Sequence, residues 1–219
     1  LFPGIRQTEN AVNLRVGSGV WKSVTALGKV QRRFLDAVSG QAAYFGTVEE
    51  GSSLAIVTVR IRVEGRKITE AEWYIARSGD PGLSGPSRPG QPPANLFNPE
   101  NLAANPPPDR VLPKSARVSR ELLIAITNSY FDGFSSHDTS VVMAHPGCSR
   151  TENGTLVTGR RAGTGPGAGG QAQSDSDNSC ISGLANFNLQ LVAARRFPVV
   201  DEEAGVVLAL AVFIRRPGS

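Results

Sequence analysis

The chain is poor in the residues that most often carry recognisable chemistry. Histidine occurs twice, as His137 and His145, and cysteine twice, as Cys148 and Cys180. With no Cys/His cluster at zinc spacing and two histidines in all, a metal site is not expected. The chain has no Gly-x-Ser-x-Gly elbow and no Ser/His/Asp set that can be placed together, which argues against serine-hydrolase chemistry. It also lacks an apolar run long enough to span a bilayer, and a signal or transit segment. Long runs of one charge are missing too. The net charge of +4 is spread mostly as arginine pairs (Arg32-Arg33, Arg160-Arg161, Arg195-Arg196, Arg215-Arg216), so neither nucleic acid nor a membrane is expected as a partner. Hydrophobic residues still make up 40% of the 219, enough for a sizeable core.

What the chain does have is an internal echo. Pro3-Gly-Ile-Arg-Gln-Thr-Glu-Asn10 returns as Pro146-Gly-Cys-Ser-Arg-Thr-Glu-Asn153, with five of eight positions identical at an offset of 143. A second echo follows. Phe45-Gly-Thr-Val-Glu-Glu-Gly51 leads into the apolar run 54–63, and Phe197-Pro-Val-Val-Asp-Glu-Glu-Ala-Gly205 leads into 206–214. Two related units are therefore expected: a first over 1–77, a Pro/Gly-rich linker over 78–114, and a second over 115–219 that contains a flexible glycine-rich loop at 159–178.

In the first unit, residues 21–35 predict a short helix or turn followed by a strand. From Gln41 the period becomes two. Ala55, Val57, Val59, Ile61 and Val63 share one face of a strand, with Thr58, Arg60 and Arg62 on the other, and 68–75 alternates again. This reads as an antiparallel meander with one covered face. The linker, dense in proline, is expected to have no core of its own. Ser119 is a good N-cap and Glu121 suits the positive end of a helix dipole. Leu122, Ile126, Tyr130 and Phe134 then recur every four residues, predicting an amphipathic helix that ends near 135–138. Two closing strands are expected over 184–200 and 206–216, the last buried on both faces. Asp201, Glu202 and Glu203 read as a solvated hairpin tip.

This order resembles the nuclear-transport-factor-two-like folds, which include the SnoaL-like cyclases and the ketosteroid isomerases. Three motifs carry the resemblance to a tandem set of such proteins: the Tyr-Phe-Asp helix at 130–132, the Arg-x-Glu-Asn-Gly strand at 150–154, and Arg-Arg-Phe-Pro-Val-Val-Asp-Glu-Glu at 195–203. The resemblance implies an α+β fold of two tandem cone-type units, each a curved antiparallel sheet packed on helices, the first without its N-terminal helix in this chain. It also implies a pocket for a small hydrophobic or aromatic ligand and cofactor-independent lyase, isomerase or dehydratase chemistry. A ligand-binding or assembly-forming module without chemistry is the alternative.

Within that frame Glu152 is the candidate proton-transfer carboxylate, Tyr130 the phenol for a developing oxyanion, and Arg150 the anchor for a phenolate or carboxylate. Arg195, Arg196, Asn153, Phe134 and His145 are the candidate substrate contacts. A structural Arg150–Glu152 ion pair is the competing reading, and it gains weight because the first copy keeps Glu9. Cys148 and Cys180 are expected to form a disulfide, which would imply a secreted protein; free thiols would imply a cytoplasmic one. Asn153-Gly154-Thr155 is also an N-glycosylation sequon. The uncovered first sheet leads to a homodimer as the expected assembly.

Overall fold

The structure, a computed structural model, describes residues 1–81, 96–158 and 180–216. The predicted glycine-rich loop at 159–178 and residues 82–95 of the linker lie outside the described residues.

The first unit runs β1 (Arg6–Glu9), β2 (Val12–Asn13), α1 (Val20–Ser23), β3 (Ala26–Asp36), β4 (Gln41–Glu50), β5 (Ser53–Glu64) and β6 (Lys67–Ala76). These strands form one six-stranded sheet in the order β2-β1-β6-β5-β4-β3. Every pairing is antiparallel except β1 with β6, where Arg6 lies opposite Glu70 and Glu9 opposite Trp73. The sheet bends where β3 slips register between Leu27 and Gln31. Gly46 makes the close approach possible, since a Cβ there would sit 2.0 Å from the Val30 carbonyl oxygen.

Alternation places Ala55, Val57 and Val59 on one face as expected, packed with Val20, Val48 and Ile75. The opposite face is covered as well, which the sequence reading did not anticipate. It buries Ile56 against Val30 and Leu102, and it buries Arg60 at 5% exposure. Arg60 is held by ion pairs with Glu70 and Glu72.

Leu102 belongs to α2 (Pro99–Ala104), a helix inside the segment expected to be a bare linker. Proline at the first helical position removes an N–H that has no intrahelical partner in any case. Asn98 caps the helix by accepting from the Asn101 N–H, and Glu100 sits in its first turn. The linker therefore contributes to the core.

The second unit runs α3 (Arg120–Ser136), β7 (Arg150–Glu152), β8 (Thr155–Thr158), β9 (Leu189–Asp201) and β10 (Val206–Arg215). Ser119 caps α3 and Glu121 lies in its first turn, as expected. The buried stripe is rotated from the predicted one. Leu123, Phe131 and Phe134 are buried, whereas Leu122 and Ile126 stay 40% and 36% exposed. Phe131 and Phe134 pack with Leu189 and Val192 of β9 and Phe213 of β10. The last strand is not buried on both faces. Among the described residues β10 pairs with β9 alone, and Val212 is 52% exposed.

The expected solvated tip at 201–203 begins with a buried residue. Asp201 accepts the Leu35 N–H at 2.8 Å, and Asp36 reciprocates by accepting the Val200 N–H at 2.9 Å. Arg120, at the start of α3, completes this clasp on Asp36 at 2.7 Å. Buried carboxylates need such partners. The protein is thus α+β with mostly antiparallel sheets, and its two halves are fastened to each other.

Candidate functional site

Both copies of the repeated motif fold alike locally. Each is a short strand that ends in a turn with left-handed backbone, at Asn10-Ala11 (φ 46° and 66°) and at Asn153-Gly154 (φ 43° and 85°). Positive φ at both central residues is the geometry of tight hairpins. The Asn-Gly pair at 153–154 is the signal for that hairpin in the sequence.

The second copy opens onto a cavity of about 950 Å³ between the halves. Its walls come from α3 (Tyr130, Phe134), the β7–β8 hairpin (Arg150, Glu152, Asn153), the first sheet (Phe45, Ile56), α2 (Leu102) and the strap Pro106-Pro107-Pro108. The hairpin is seated by α2. The Asn98 N–H donates to the Asn153 carbonyl at 2.8 Å, and the Asn101 side-chain amide donates to the Gly154 carbonyl. Gly154 is obligatory there, because a Cβ would lie 2.0 Å from the Asn98 carbonyl oxygen. Cys148 and Cys180 are joined in a disulfide, as expected, and Cys180 lies in the cavity wall.

Arg150 dominates the polar end. Its guanidinium lies 5.4 Å from the Phe187 ring centroid, and its Nε is 3.3 Å from a Glu152 carboxylate oxygen. Nη1 is buried without a partner, and Nε has only the ion-pair contact with Glu152. A guanidinium N–H without a partner retains the capacity to donate to an anionic or carbonyl oxygen. Tyr130 packs edge-on to Phe134 at 5.2 Å. Burial pushes its hydroxyl above the ordinary phenol pKa, with Arg150 working in the opposite direction. The group is therefore a neutral proton donor at pH 7.

Five of the eight predicted site residues, Tyr130, Phe134, Arg150, Glu152 and Asn153, thus share one cavity. The other three do not line it. Arg195 donates to Asn128, Asp132 and Ser135 and lies over Phe131, tying β9 to α3. Arg196 donates to both carboxylate oxygens of Glu72 in the first sheet. His145 is exposed in the turn before Cys148. Sequence reasoning missed Phe45, Ile56, Leu102 and the proline strap, whose place depends on how the halves dock. Among the described residues no group of three or more His, Cys, Asp or Glu could hold a metal ion, and no helix is long and apolar enough to cross a membrane.

The two copies of the motif have diverged in role. Glu9, the counterpart of Glu152, accepts the Val20 N–H at 2.7 Å at the start of α1 and pairs with Arg77. Gln7 stands where the second copy has Arg150, and it is 2% exposed with neither amide atom partnered.

Residues 116–218 match the model of a family described as a domain of unknown function (DUF8021). No curated protein and no solved structure matches the chain.

Proposed function

We propose that this protein binds a small aromatic or otherwise apolar molecule bearing an anionic or carbonyl oxygen, and carries out cofactor-independent proton transfer on it of the lyase, isomerase or dehydratase type. The observation that carries this reading is the Arg150 guanidinium, its Nη1 unpartnered, at the end of a largely apolar cavity. In it the guanidinium holds the oxygen, the neutral Tyr130 hydroxyl donates to that oxygen as charge develops, and Glu152 takes a proton from the neighbouring carbon. The cavity lies at the upper end of the usual size range for small-ligand sites.

The tandem cone-fold reading, SnoaL-like in kind, is supported by the repeated strand-and-turn motif in both halves. The Cys148–Cys180 bond supports an oxidising, secretory location. One observation favours binding without chemistry: Glu152 is engaged in a 3.3 Å ion pair with Arg150, a structural role that the strand geometry alone would also give it.

The two readings separate in one experiment. Small aryl ketones and arylacetic acids are incubated with the protein in D2O, and deuterium uptake at the carbon beside the carbonyl is followed by NMR. Catalysis predicts uptake that falls by about 100-fold or more in Glu152→Gln while ligand affinity is kept. Binding without uptake in the parent protein leaves only the module.

A further inference from the structure

A second cavity, about 360 Å³, lies beyond the first. It is lined by Phe34, Ala43 and Thr58 of the first sheet and by Val206, Val207 and Leu208 at the start of β10. The two cavities share three lining residues, Phe45, Pro107 and Pro108. One aromatic ring and the proline strap thus border both cavities. The strap has no N–H at Pro106, Pro107 or Pro108 with which to bond the sheet. It is tethered through the Pro107 carbonyl, which accepts from Arg32 Nε at 2.7 Å. The chemistry of the two cavities differs in kind. The first ends in Arg150 with Nη1 unmet, whereas the second is apolar apart from Thr58 and the exposed Arg110.

We propose that the two cavities form one elongated site for an amphiphilic carboxylic acid, its carboxylate on Arg150 and its apolar tail running past Phe45 and the Pro107-Pro108 strap into the second cavity. The proposal rests on Arg150 being the anion-holding group of the first cavity, and adds the length and polarity of the ligand. A short acid would fill only the first cavity. Each methylene that enters the second leaves water for a wall of Phe34, Ala43 and Val207, and tightens binding by about three- to fourfold.

The test is isothermal titration with a homologous series, from phenylacetate to phenylalkanoates carrying up to about eight methylenes, against the full chain. Affinity is expected to change little over the first members and then rise stepwise once the tail passes the strap. Val207→Trp, which fills the second cavity, is expected to remove that rise and leave phenylacetate affinity unchanged. Its unchanged phenylacetate binding reports that it is folded. Ala204→Trp, at the hairpin tip on the far wall, serves if Val207→Trp does not fold. Arg150→Met is expected to weaken the whole series by a common factor.

A flat series, or long acids held equally well by the parent and by the filled variants, overturns the two-cavity site and leaves the Arg150 reading standing. Loss in Arg110→Met but not in Arg150→Met reverses the ligand's direction and overturns the proposal. Failure of phenylacetate and every longer acid to bind overturns the Arg150 reading and the proposal with it.

Discussion

At the residue scale, both copies of the motif carry unmet polar groups at the same position, in different settings. In the second copy Arg150, in a cavity wall, keeps Nη1 buried without a partner. In the first copy Gln7 buries both its amide atoms unpaired. A buried amide without partners costs stability, and a thioether of similar shape does not. Gln7→Met is therefore expected to raise stability by about 1 kcal/mol or more, read as a shifted denaturant midpoint with an unchanged slope. Gly154→Ala is expected to do the opposite. Its φ of 85° alone costs an alanine about 1–2 kcal/mol, and the added methyl meets the Asn98 carbonyl. Because that carbonyl begins α2, the variant is also expected to show faster hydrogen exchange across 98–104 than the parent protein.

At the element scale, the sequence made some parts legible and concealed others for stated reasons. Alternation exposed the faces of β5, and Ser119 with Glu121 exposed the start of α3, because both are local signals. The α3 stripe was misread because Leu122 and Leu123 are both apolar, and only the packing against β9 and β10 decides which is buried. The helix α2 was hidden by its neighbours, although Asn98-Pro99-Glu100 is a complete start signal on its own. In the sequence the Arg195-Arg196 pair looks available for a ligand. In the fold each has a partner fixed by a distant element, Asp132 and Glu72 respectively. The disulfide ties the approach to β7 to the segment entering β9 across a separation of 32 residues. Replacing both cysteines by serine is expected to lower stability by about 3–4 kcal/mol, checked by chemical denaturation.

At the scale of the whole molecule, the site exists because the halves are clasped. The cavity takes walls from both, so whatever loosens their contact opens it. Asp36 is the centre of that clasp. Burial opposes its ionised form, but the Val200 and Ser39 N–H groups and Arg120 outweigh burial and hold its pKa below the ordinary value. A carboxylate depressed in the folded state contributes stability above its unfolded pKa and loses it as pH falls through the folded one. Stability is therefore expected to decline on acidification below about pH 4, where an ordinary aspartate begins to protonate. Asp36→Asn is expected to cost about 2–3 kcal/mol at pH 7, less than a fully buried pair because Arg120 keeps some contact with water, and to flatten the acid limb. An unchanged acid limb in thermal melts would assign the pH dependence to other carboxylates.

The central claim is that the Arg150 guanidinium, beside Tyr130 and Glu152, makes the cavity between the halves a site for an oxygen anion. Titration of phenylacetate into the parent protein and into Arg150→Met, at pH 7 and fixed salt, tests it most directly. A charge-assisted bond to a carboxylate in this setting predicts saturable binding that weakens by at least about tenfold in the variant, with the fold retained. Equal affinity in the two proteins, or no saturable binding in the parent, would contradict the claim.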